Sequence, residues 1–224
     1  MFSTKVFVFA VICFAAVRSE RKLCDFNDEK CLTEGSNRSF EKFIAGIPGV
    51  PPSDPLAVDL IEGSSPAMKY KITDAALSGM KKCKVDNVGI SLQDDKYKYQ
   101  VRCPHLVIEM NTEVSGAIGE GKGTCKVVIE NYLLKYRGDY AKTQDANGKL
   151  HMNLKTHDLE EDPVGKVNIE CKNAGSSHEL PSDKWQTVGN EILKATFDSF
   201  KTKYISNVNA YLTVVPVEDM FYQE

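Results

Sequence analysis

Seven cysteines, four histidines, a glycine-rich octet and a run of acids are the residues here whose types suit chemistry. His105, His151, His157 and His178 are scattered, and a metal site needs three or four convergent ligands. Gly116-Ala117-Ile118-Gly119-Glu120-Gly121-Lys122-Gly123 mimics a phosphate-binding loop. Its last position is glycine where the Mg²⁺-holding hydroxyl belongs, and strand-like sequence follows instead of a helix. Turn glycines are the plainer reading. The acids Asp158, Glu160, Glu161 and Asp162 lack the spaced ligands of a calcium loop and read as a solvated turn before Pro163. No Gly-x-Ser-x-Gly elbow is present, and no nucleophile–base pair can be named. The residues therefore predict no enzyme, no metal and no cofactor.

The cysteines point to a compartment. Cys13 lies in an apolar run, residues 6–17, preceded by Lys5 and followed by Val17-Arg18-Ser19. That pattern predicts a secretory signal peptide over 1–19, too short to span a bilayer, and a single domain over 20–224. Cys24, Cys31, Cys83, Cys103, Cys125 and Cys171 remain, an even number that favours disulfides in an oxidising space. Cys24 and Cys31 are close and easily bridged. The other four leave their pairing open, with 83–103 and 125–171 preferred because Cys83 and Cys103 fall on adjacent candidate strands. Asn37-Arg38-Ser39 is an acceptor sequon, so a glycan is expected on Asn37.

Removing 1–19 leaves 26 Lys and Arg against 31 Asp and Glu, a net charge of −5. An acidic chain without a basic cluster is a poor partner for nucleic acid or an anionic membrane surface. No second stretch reaches membrane-spanning length. With 42% hydrophobic and 26% charged residues, a soluble globular monomer is expected.

The elements that must position these residues follow from periodicity. In 185–215, Leu193, Phe197, Phe200, Tyr204, Val208, Tyr211 and Val215 recur at steps of three and four. They predict one helix with one apolar stripe, stopped by Pro216 and flanked by Ile192, Thr196, Ile205 and Leu212. About 30 residues at about 1.5 Å each give a rod of roughly 45 Å, which needs an apolar surface of similar length. Phe40, Phe43 and Ile44 predict a short helix ending near Gly46, and the prolines of 46–56 predict a stiff wrapping segment. From 68 to 171 the pattern turns to strands. Val88, Ile90 and Leu92 alternate, then Tyr97, Tyr99 and Val101, then Leu106, Ile108 and Met110. Pro104 predicts a bulge or an edge. Val127 and Ile129 differ in parity from Tyr132, Leu134 and Tyr136, which predicts a second bulge. Asn147-Gly148 marks a hairpin turn. Leu150, Met152 and Leu154, then Val167, Ile169 and Cys171, close an antiparallel meander. The class is α+β, with the long helix on one face of a strongly bent sheet.

The order of these features carries a likeness. Cys24 and Cys31 open the mature chain, GIPGVPPSDPLAVDLI follows the first helix, Ala76-Leu77-Ser78-Gly79-Met80 makes a small-residue turn, and Leu212-Thr213-Val214-Val215-Pro216 precedes Met220-Phe221. The chain resembles the insect takeout and haemolymph juvenile-hormone-binding protein family over essentially its whole mature length. That resemblance implies a long C-terminal helix wrapped by a highly curved antiparallel sheet, as in tubular lipid-binding proteins. It also implies an internal apolar tunnel for a lipophile such as a terpenoid hormone or fatty chain. The segment between Cys171 and Trp185 is shorter than in many relatives, and Cys83, Cys103 and Cys125 lie outside the minimal family pattern.

The expectation is a secreted extracellular carrier of haemolymph or a similar fluid, taking a small hydrophobic ligand, without catalysis. Leu193, Phe197, Phe200, Tyr204, Val208 and Tyr211 are the expected lining, with tyrosine hydroxyls available to an epoxide, ester or carbonyl. The alternative is an interaction module of the same fold with a filled core. In that case Trp185 and the charged helix face would act at the surface.

Overall fold

The computed structural model describes residues 22–155, 158–162, 166–174 and 180–223. The expected leader, His157, His178 and Pro163 lie outside the described residues. Helix α1 (Glu29–Ala45) begins where the Asp28 carboxylate accepts the Cys31 N–H at 3.0 Å, and ends at Gly46, whose φ of 82° few other residues adopt. It buries Leu32, Phe40, Phe43 and Ile44 on one face. The proline segment then crosses to the sheet. There the Asp54 carboxylate accepts the N–H groups of Gly79 (3.1 Å) and Lys81 (2.8 Å). The Asp-Pro-Leu segment and the small-residue turn are thus one contact in space.

Strands β1 (Leu56–Ser64), β2 (Met68–Ser78), β3 (Lys84–Ser91), β4 (Lys96–Gly116), β5 (Gly121–Gln144), β6 (Leu150–Leu154), β7 (Asp158–Asp162) and β8 (Val167–Asn173) pair antiparallel among the described residues. A 3-10 turn (Met80–Lys82) joins β2 to β3. Two long strands form the spine. β4 pairs β3 along its first half and β2 along its second, while β5 meets β8, β7 and β6 in turn. Helix α2 (Ser182–Val214) lies along the inner face, and the short α3 (Val217–Met220) follows Pro216. At about 3.3 Å per residue, the 24 residues of β5 would reach roughly 80 Å straight, against roughly 50 Å for the 33-residue α2. The strands must therefore coil around the rod. Of the non-glycine residues at positive φ, Asp74, Asn87 and Asn131 mark the bends and Asp95 the β3–β4 turn, and the register shifts beside Asp74 and Asn87.

Outside, the faces carry charge ladders: Lys71, Glu113 and Lys122 are cross-strand neighbours, as are Glu109, Lys126 and Glu170. Three disulfides, Cys24–Cys31, Cys83–Cys103 and Cys125–Cys171, tie α1, the β3–β4 pair and the β5–β8 pair.

Two expectations change, and three others take a specific form. β1 was not foreseen, since the strand region was expected to open only at 68. The acidic run 158–162 forms β7 against β5 and is not a turn. Pro104 produces no register slip; it occupies the gap where β4 leaves β3 and joins β2. The hairpin at Asn147-Gly148 is a longer turn with positive φ at Gly148 alone, held by Asp145, which accepts the N–H groups of Asn147 and Lys149. Asn37 lies within α1. Its Nδ2 donates to the carbonyls of Thr33 (2.9 Å) and Val85 (2.7 Å), and its Oδ1 accepts the Val85 N–H (3.0 Å). A glycan would replace one of those amide hydrogens, so attachment and this α1–β3 clasp exclude one another.

Candidate ligand-binding site

The two halves of α2 meet the sheet differently. Over the N-terminal half the contact is solid. Trp185 is 1% exposed, with its indole N–H donating to Asn173 Oδ1 at 2.7 Å, so it is a core anchor and not the surface residue expected of an interaction module. A side chain on Gly121 would strike Leu180, and one on Gly123 would strike the Trp185 ring. These glycines of the phosphate-loop mimic exist to let the helix approach. Val188, Gly189, Ile192 and Thr196 continue the contact against the strands that carry Met110, Ile169 and the Cys125–Cys171 bridge.

Over the C-terminal half the packing opens. A cavity of about 120 Å³ lies between α1, β3, the start of β4, β6 and α2. Phe40, Phe43, Val88, Tyr97, Met152 and Val208 give it apolar walls, and Met220 and Phe221 close one side. A second space of about 50 Å³ lies further back along α2, between Met80, Val101, Leu106, Ile129, Tyr132 and Phe200. Tyr204 borders both.

Aromatic rings separate the two spaces. Tyr99 stacks on Tyr136 with centroids 4.7 Å apart, and Tyr136 stacks on Tyr204 at 5.7 Å. Phe43 meets Tyr204 edge-on at 5.6 Å and Tyr211 at 5.7 Å. Burial, with the neighbouring phenols adding to it, pushes the Tyr99 and Tyr136 hydroxyls well above the ordinary tyrosine range; burial also raises Tyr204, and raises Tyr211 against a lowering contribution from Ser39. All four are neutral phenols at physiological pH. The Tyr99 hydroxyl faces that of Tyr204, and the Tyr211 hydroxyl faces Ser39, yet neither Tyr99 nor Tyr211 reaches hydrogen-bond geometry. Each hydroxyl borders the apolar free space, where a ligand oxygen could accept from it.

The sequence profile of the haemolymph juvenile hormone binding protein family (JHBP) matches residues 6–222. The chain belongs to that family. The fold of this JHBP-family chain is that of the crystal structure of Epiphyas postvittana Takeout 1, at 20% identity and a TM-score of 0.71, covering 89% of this chain and 98% of that one. A lipopolysaccharide binding protein aligns at 7% identity and a TM-score of 0.45, covering 84% of this chain and 39% of that one. None of the curated proteins matches the sequence.

Of the expected lining in this JHBP-family chain, Tyr204, Val208 and Tyr211 border the larger cavity, and Phe197, Phe200 and Tyr204 the smaller. Leu193 borders neither and is half-buried beside the filled half of α2. The fully buried positions of α2 are Trp185, Val188, Gly189, Ile192, Thr196, Phe200, Tyr204, Asn207 and Tyr211, and Leu193, Phe197 and Val208 are half-buried along the edge of that stripe. Missed were the strand and α1 contributions: Phe40 and Phe43, Tyr97, Tyr99 and Tyr136. The alternation of Tyr97 and Tyr99 and the helical spacing of the two phenylalanines were visible signals. His105 pairs with Glu130 at 2.9 Å on the outer face, and His151 packs against the Leu212 carbonyl at 3.2 Å. Among the described residues, no group of His, Cys, Asp or Glu is placed to hold a metal ion, and no helix is long and apolar enough to cross a membrane.

Proposed function

We propose that this protein is a secreted, non-catalytic carrier that holds a small hydrophobic ligand, of terpenoid or fatty character, in the apolar space beside α2. The observation that carries the reading is the cavity of about 120 Å³. Its wall is apolar except for Ser36, Ser39, Lys98 and the tyrosine hydroxyls, and two of those hydroxyls lack partners. Burial of apolar ligand surface, at about 25 cal/mol per Å² before association costs, would supply the affinity. The free hydroxyls of Tyr99 and Tyr211 would orient an ester, epoxide or carbonyl oxygen. Membership of a hormone-binding family and three disulfides, which suit an extracellular fluid, support the same reading.

The test is extraction of the protein purified from culture medium, with mass spectrometry for co-purified lipid, followed by calorimetric titration with 1-octanol. Saturable uptake supports the carrier. No lipid and no uptake would overturn it.

A further inference from the structure

The two cavities succeed one another along each element that walls them both, and Tyr204 is the boundary. On α2, Val208, Tyr211 and Leu212 face the larger space, Phe197 and Phe200 the smaller, and Tyr204 both. On β4, Tyr97 and Tyr99 face the larger, while Val101, Cys103 and Leu106 face the smaller. The Tyr204 ring stands between them with Tyr136 stacked on one side and Phe43 edge-on from α1. Tyr136 is fixed in turn by Tyr99 and by the long β4–β5 ladder, so the stack has a rigid back.

Size decides what such a divided site can take. About 120 Å³ is close to the roughly 150 Å³ of a dry cavity that accepts benzene, and far below the roughly 300–1,000 Å³ of ordinary ligand pockets. Joined, the two spaces would follow α2 from Phe197 to Leu212, a run of roughly 22 Å at about 1.5 Å per residue. The difference between a single-ring site and a channel of that length is one side chain.

We infer that Tyr204 is a length stop: its ring restricts the site to lipophiles of single-ring or short-chain size, and losing it opens one channel for long chains. This rests on the carrier reading and adds the size class of the ligand. Tyr204 comes from the helix, whereas the rings it meets come from β5 and α1, so trimming it leaves the strand-borne part of the stack in place. The fully buried phenol is hydrophobic in its packing, and the ring, not the hydroxyl, blocks the passage.

The experiment is direct calorimetric titration of the full secreted protein with straight-chain primary alcohols of six to eighteen carbons. Each further methylene that enters the site tightens binding about fourfold, the equivalent of about 0.8 kcal/mol per buried CH₂. In the wild type, that gain stops at a short chain. In Tyr204→Ala it continues through the long members, and in Tyr204→Phe, which keeps the ring, it stops where the wild type stops. Tyr204→Leu shifts the stopping point less, in the same direction, and stands in should the alanine variant not fold. A stopping point common to wild type, Tyr204→Ala and Tyr204→Leu overturns the length stop while leaving the carrier standing. A wild type that binds none of the alcohols sinks both.

Discussion

Pro104 and Asn131 stand opposite each other in the β4–β5 ladder, whose register passes from Cys103–Tyr132 to His105–Glu130 without slipping. Proline has no N–H to give, and Asn131 has a φ of 51°, so both strands step out of regular pleating at one level. The inward positions change parity there on both sides. Val101 and Cys103 are buried before the step and Leu106 and Ile108 after it; on β5, Ile129 is buried before and Tyr132 after. Asn131→Val places a β-branched residue at positive φ and should destabilise the protein by about 1–2 kcal/mol. Asn131→Gly should cost little or nothing. Urea denaturation of the two variants checks the difference.

Val208 is half-buried on α2 and borders the larger cavity. Val208→Trp should fill that space, abolishing probe uptake with a stability loss below about 1 kcal/mol. Were the core full at this position, overpacking would cost about 1–3 kcal/mol. Probe titration and thermal melting on one sample separate these outcomes.

Asn37→Ala removes three hydrogen bonds, two of them between α1 and β3, and leaves the Val85 backbone groups in need of other partners. A loss of about 1–3 kcal/mol is expected. Because both Nδ2 hydrogens are engaged, protein recovered from culture medium should keep its mass after treatment with peptide N-glycosidase. A mass decrease of one core glycan would show that the clasp yields to modification.

The buried phenols predict an alkaline limit. Tyr99, Tyr136 and Tyr204 have folded-state values raised above the ordinary 10.0, so their neutral forms are favoured in the folded protein. The unfolded chain ionises first. Their contribution is therefore complete below about pH 10 and is lost as pH rises through the folded-state values. Ultraviolet titration should show these three phenolates only together with unfolding, and uptake of a neutral probe should be flat from weakly acidic to weakly alkaline pH.

The long helix was legible because a 3.6-residue period survives over thirty residues, and the sheet because Val88, Ile90, Leu106, Ile108 and Met110 alternate. What periodicity could not convey is which line of the helix comes closest to the sheet. Closest approach follows the small residues: Gly121, Gly123 and Gly189 admit Trp185, Leu180 and Ile169. β1 escaped notice for a related reason. It is an edge strand with Leu60 half exposed, so its inward and outward positions differ little in type. The cavities were beyond reach, because a stripe of Phe200, Tyr204 and Tyr211 has the same spacing over filled and empty space.

Leu23 bridges Tyr222, Gln223 donates its N–H to the Lys22 carbonyl at 2.8 Å, and Arg38 from α1 lies over the Tyr222 ring while donating to its carbonyl. The described chain thus returns to its own starting point, and the junction sits against the helix that roofs the larger cavity. Residues 22 and 223 can in principle be joined by a short linker and new ends cut at Gly148, where an added Cβ meets nothing within 4 Å. Such a circular permutant would keep every strand pair and both walls of the ligand space.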